Sequence, residues 1–123
     1  MRASRVAPRE ARRVVAEYGS LNNLPFNLLE DVLLCVSEAV SNVVFHAYRD
    51  VDSDGTVEID AAIDSDLRIC VRDRGSGFAF RDDSEGLGMG LPIITKLTRS
   101  FLIRTTASGG GTEVIMRFEL PPA

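Results

Sequence analysis

The sequence predicts an α+β fold, a two-layer α/β sandwich in which three helices cover one face of a mostly antiparallel sheet. Three observations lead there. Helical periodicity and strict alternation follow one another in the order α, α, β, β, α, β, β; the strands come in two adjacent pairs, each joined through turn-forming residues; and the regular βαβ alternation of a parallel sheet is missing. A chain of 123 residues is the size of one domain. Such a chain buries roughly two-thirds of the surface its unfolded form exposes, enough for a core without disulfide or metal staples. Residues 1–123 are therefore expected to form a single domain.

The first helix is expected from about Pro8 to Tyr18, with proline tolerated in the first turn and Gly19 as the stop. Pro25 and Asn27 announce a second helix, about Leu28 to Ala47. At about 100° per residue, Leu29, Leu33, Val36, Val40, Val43 and Ala47 fall on one side and must face a core, while Asp31, Glu38, Asn42 and His46 fall on the other. Asp50, Asp52, Asp54 and Gly55 break the pattern before two alternating segments, Thr56 to Ile63 and Leu67 to Asp73. Asp64-Ser65-Asp66 separates them, so they read as a hairpin with one covered face. After a glycine-rich stretch from Gly75 to Gly90, Leu91, Ile94 and Leu97 keep helical spacing around Pro92. Two strands close the chain, Phe101 to Thr106 and Thr112 to Leu120, joined through Gly109-Gly110-Gly111.

Composition excludes several functions. Eighteen acids against 14 bases give a net charge of −4, and only one base, Lys96, is a lysine. This is not the basic surface that a phosphate backbone requires, which argues against direct nucleic-acid binding. No apolar run approaches the roughly 20 residues of a membrane-spanning helix, and the N-terminal arginines precede no apolar signal segment, so the expected location is the cytoplasm. Cys35 and Cys70 lack metal or redox spacing and are expected as free thiols. Arg2, Arg5, Arg9, Arg12 and Arg13 crowd the N-terminus, either as a solvated helix face or as a contact for an acidic protein partner.

Three groups of residues carry chemistry. Asp73 stands in strand register with Leu67, Ile69 and Val71, so its carboxylate points toward the helical layer, where it needs hydrogen-bond donors. Arg74-Gly75-Ser76-Gly77 follows, a turn that lets backbone approach a ligand closely. Gly86-Leu87-Gly88-Met89-Gly90-Leu91 runs into a helix N-terminus, where free amides and the helix dipole suit phosphate; neither a P-loop nor a dinucleotide fingerprint is matched. Glu38 and Asn42 lie one turn apart on the long helix. They either decorate a solvated face or serve phosphoryl transfer, Glu38 as base and Asn42 as an oxygen ligand for Mg²⁺.

In that order the groups resemble the GHKL ATPase superfamily. Its N-box is similar to Ser37-Glu38-Ala39-Val40-Ser41-Asn42 with His46-Ala47-Tyr48, its G1 box to Asp73-Arg74-Gly75-Ser76-Gly77, and its G2 box to Gly86 through Leu91. Thr112, on the Val114, Met116 and Phe118 side of its strand, matches the threonine that backs adenine. Within the superfamily the wording and size resemble bacterial anti-sigma factor serine kinases, over about Pro8 to Leu120. The resemblance implies ATP and Mg²⁺ as cofactors. It further implies that Asp73 accepts the adenine amino hydrogen, Gly77 lets adenine pack, Asn42 ligates Mg²⁺, Glu38 is the base, and Gly86, Gly88 and Gly90 wrap the phosphates together with Leu87, Met89 and Leu91.

The implied partners are a sigma factor, an antagonist of the STAS-domain class that is phosphorylated on serine, and a second copy in a homodimer. His46 either polarises the site or is structural. The segment from Phe78 to Glu85 is short and acidic, and Arg81 is its one candidate phosphate contact. That acidity keeps open an alternative, a GHKL-fold binding module with little or no transfer activity. A detached histidine-kinase ATPase domain is disfavoured, because the sole histidine, His46, lies in the nucleotide helix itself.

Overall fold

The computed structural model describes residues 7–49, 57–73, 90–105 and 112–122. Its elements are α1 (Ala7–Leu21), α2 (Phe26–Arg49), β1 (Val57–Ile63), β2 (Leu67–Asp73), α3 (Gly90–Leu97), β3 (Ser100–Thr105) and β4 (Thr112–Phe118). The strands form one sheet in the order β1-β2-β4-β3, and all three neighbouring pairs are antiparallel. The α+β sandwich expected from the sequence is the observed architecture.

α1 runs past Gly19, contrary to the expected stop. It ends in a Schellman motif: Leu24 N–H donates to the Gly19 carbonyl at 3.0 Å and Asn23 N–H to that of Ser20 at 3.2 Å. Asn23 takes the left-handed position with φ of 54°. Gly19 is buried instead where α1 meets α2, and a Cβ there would lie 2.7 Å from Leu29 Cδ1. The glycine thus serves close packing and the asparagine serves the turn. α2 starts two residues earlier than expected, its first turn closed by Leu29 N–H on the Pro25 carbonyl at 2.9 Å.

α2 packs on the central strands β2 and β4 with α1 and α3 at its flanks, while α1 reaches β1 and α3 reaches β3. The middle helix is therefore covered over more of its circumference than one stripe. Its fully buried residues are Val32, Cys35, Val36, Ala39 and Val40, which turns the buried arc ~60° from the expected stripe toward the polar side. From the sheet, Val57, Leu67, Ile69, Val71, Val114, Met116 and Phe118 complete the core with Ile94 of α3. β1, at the edge, loses cover along its length, and Ile63 at its end is 37% exposed.

Two connections fix which way the helices point. Pro25, Asn27 and Leu28 at the start of α2 share a hollow with Leu120 and Pro121 beyond the end of β4. α2 therefore runs from that end of the sheet toward the opposite one. α3 joins β3 through Thr98 and Arg99 only, with Arg99 N–H on the Arg117 carbonyl at 2.8 Å, so its first turn also heads for the opposite end.

Candidate functional site

At that opposite end the last residues of β2 and the first of β4 face each other. Asp73 and Thr112 are register partners across β2 and β4, and Val57 and Thr105 continue the row onto the edge strands. Strand parity predicts both orientations. Asp73 is only 4% exposed, on the face that buries Leu67, Ile69 and Val71, while Thr112 shares the face of Val114 and Met116 and stays half-buried at the rim. A carboxylate so placed in the helical layer suits a ligand that donates hydrogen bonds.

Helix periodicity puts Asn42 on the polar side of α2, which a solvated face would also explain; the structure buries it, at 2% exposure. The rotation of the buried arc toward Cys35 draws Asn42 in with it. Its Oδ1 is buried without a hydrogen-bond partner, which costs about 1–3 kcal/mol when left unsatisfied. An unmet amide oxygen is a hard donor of the kind Mg²⁺ takes, so the residue fits the cation expected of it. Among the described residues no group of three His, Cys, Asp or Glu side chains gathers into a metal cage. A cation at Asn42 would complete its shell from bound phosphates and water.

Glu38, one turn earlier on α2, is half-buried at the border of the same arc. Its charge is felt inside the protein: burial first, then Asp31 and Glu38, push the Cys35 thiol up to about 12. Gly90 and Leu91 form the first turn of α3, which heads toward the same end of the sheet. The structure thus brings Asn42, Asp73, Thr112 and the start of α3 to one end of the sandwich. Gly75, Gly77, Arg81, Gly86, Leu87, Gly88 and Met89 lie outside the described residues, as do the expected strand ends Thr56 and Thr106. His46 falls on the α2 backbone, beyond the described side chains.

One feature is not readable from sequence pattern. On the sheet face away from the helices, Glu113 of β4 is 6% exposed and accepts from both Arg72 Nε, at 2.8 Å, and Arg104 Nε. Those guanidiniums hold its carboxyl below the usual range, Arg104 contributing most. No helix among the described residues is long and apolar enough to cross a membrane.

Comparison with known proteins bears on the fold and the family. Residues 1–118 match the family model of the histidine kinase-like ATPase domain. The anti-sigma F factor of Clostridium acetobutylicum is 32% identical, over 87% of this chain and 81% of that protein. The serine-protein kinase RsbW of Bacillus pumilus is 42% identical over a shorter stretch, 49% of this chain and 38% of that one. In structure, the whole chain superposes with a TM-score of 0.76 and 26% identity on a crystal structure of the RsbU and RsbW domains of a Mycobacterium tuberculosis protein, of which it spans 32%. A blue-light activated histidine kinase domain from Erythrobacter litoralis shares the fold at a TM-score of 0.59 and 21% identity, over 92% of this chain and 60% of that one. Matched over residues 1–118, sharing the α+β sandwich and 32% identical to a full-length relative, the chain belongs to the histidine kinase-like ATPase family, within the group of anti-sigma factors and RsbW proteins.

Proposed function

We propose that this chain is an ATP-binding anti-sigma factor: it sequesters a sigma factor and phosphorylates a serine of a STAS-domain antagonist. All 123 residues would act as one ATP-binding domain, placed in the cytoplasm by this reading. The names of the related anti-sigma F factors and RsbW kinases support the reading. The observation that carries it is the buried, unmet Oδ1 of Asn42, one helical turn from Glu38 and at the sheet end that holds Asp73 and Thr112.

In this reading Asp73 accepts the adenine amino hydrogen, Thr112 backs the ring, and Gly75 and Gly77 let the base approach. Amides from Gly86 to Leu91 and the start of α3 hold the phosphates, with Arg81 as a further contact. Asn42 would hold Mg²⁺, which when bound offsets phosphate charge. Glu38 takes the proton of the attacking serine while its oxygen bonds to the γ-phosphorus; the bond from that phosphorus to the bridging oxygen breaks, and ADP leaves. The product serine carries about −2 of new charge, enough to expel the antagonist from a shared surface.

The test is incubation with Mg·ATP and a serine-bearing STAS-domain protein, read by intact mass. Gain of one phosphate with the parent and none with Glu38→Ala, at unchanged ATP affinity, supports the kinase reading. No gain by a chain that demonstrably binds ATP leaves the weak or inactive binding module. Equal gain by Glu38→Ala removes Glu38 from the mechanism.

A further inference from the structure

The sheet face away from the helices carries one row of alternating charge across all four strands. Glu58 on β1, Arg72 on β2, Glu113 on β4 and Arg104 on β3 stand in register. Arg72 donates through Nε to Glu113 at 2.8 Å, reaches Glu58 at 3.9 Å and bonds Asp60, while Arg104 Nε bonds the second Glu113 oxygen. A single carboxylate on a central strand is thus tied to the strand on either side. Its burial makes the tie consequential, because removing a partner leaves a buried charge uncompensated.

The position of this row matters more than its strength. Arg72 immediately precedes Asp73, and Glu113 immediately follows Thr112. The neighbouring row, Val57, Asp73, Thr112 and Thr105, is the last of the sheet among the described residues. The end rows of a ladder open most readily, having neighbours on one side only. The ionic row lies directly behind the two residues that would have to stay in place to read a base. Their side chains point to the opposite face, so Glu113 can act on them only through the backbone.

We propose that Glu113, held between Arg72 and Arg104, is a positioning residue: it fixes the spacing of Asp73 and Thr112 so that the site distinguishes a base bearing an exocyclic amino group. This rests on the nucleotide reading of the site given above. A carboxylate that drifts by a fraction of an ångström loses the hydrogen bond that selects the amino group but keeps the phosphate contacts. The consequence is a loss of discrimination as well as affinity.

The experiment is a titration of ATP and of inosine triphosphate, which has an oxo group in place of the amino group, with Mg²⁺ on the parent, Asp73→Asn and Glu113→Gln. The parent prefers ATP. Glu113→Gln weakens ATP about tenfold while leaving inosine triphosphate within about twofold, so the preference narrows. A lowered melting temperature with the parent's ATP affinity and preference intact would mean a merely structural role and overturn the proposal. Should Glu113→Gln not fold, Arg104→Gln decides, since that side chain is 56% exposed. A narrowed preference supports the proposal and an unchanged one overturns it. A parent that binds no ATP overturns the nucleotide reading itself, and is told apart from a parent that binds ATP beside a Glu113→Gln that binds equally well.

Discussion

Replacing Asn42 with leucine should make the protein more stable and unable to hold Mg·ATP. The side chain is 2% exposed and its Oδ1 has no hydrogen-bond partner, so the folded state carries an unpaid desolvation of about 1–3 kcal/mol. Leucine branches at the same carbon as asparagine, with bulkier methyl groups and no oxygen to desolvate. Allowing for the loss of the amide nitrogen, the net gain is about 1 kcal/mol. The entropy of unfolding is about 2.1 cal/mol/K per residue, so over 123 residues a gain of that size raises the melting temperature by about 4 °C. The assay is thermal unfolding with and without Mg·ATP. At a hundredfold excess over its dissociation constant a ligand adds about 2.7 kcal/mol, or about 10 °C here. The parent should therefore melt lower alone and rise on adding Mg·ATP, whereas Asn42→Leu should melt higher alone and not rise. A variant that melts lower than the parent and still rises with Mg·ATP would refute the idea that Asn42 is kept unsatisfied for a ligand.

Other outcomes follow from the same structure. Asn23→Gly should stabilise by about 0.5 kcal/mol and Asn23→Ala destabilise by about 1 kcal/mol in urea unfolding, because Asn23 closes α1 at positive φ. Cys35 and Cys70 are buried and their thiols raised, Cys35 to about 12, so Ellman's reagent at pH 8 should label neither until urea is added. Glu113 has a folded pKa below its ordinary value of 4.5, so its pairing with Arg104 and Arg72 contributes stability fully present above pH 4.5 and lost as pH falls through the folded value. Urea midpoints measured downward from pH 5 should fall more steeply for the parent than for Glu113→Gln.

What was legible in the sequence was what strand parity and local spacing decide. The period of two places Asp73 with Leu67, Ile69 and Val71, and Thr112 with Val114 and Met116, whatever the strands pair with. The helix period gave α2 a definite stripe, but the stripe was centred on its largest aliphatic residues. The buried arc is set by neighbours on both flanks as well as the sheet, and it takes in the small Cys35 and Ala39 and the polar Asn42. For the same reason Gly19, a stop by local rule, is a packing residue. The Arg72–Glu113 pair was out of reach because its members are 41 positions apart, and only strand register brings them together.

The proposed nucleotide site lies between α2 and the Asp73 end of the sheet. Backbone amide shifts of the labelled protein, followed during a Mg·ATP titration, locate it directly. Shifts that saturate and concentrate at Asn42, Asp73, Gly90 and Thr112 are the predicted result. Shifts centred instead on the cleft of Arg12, Leu34 and Ser37 between α1 and α2, or on Arg68 and Leu102 of the outer sheet face, would contradict it.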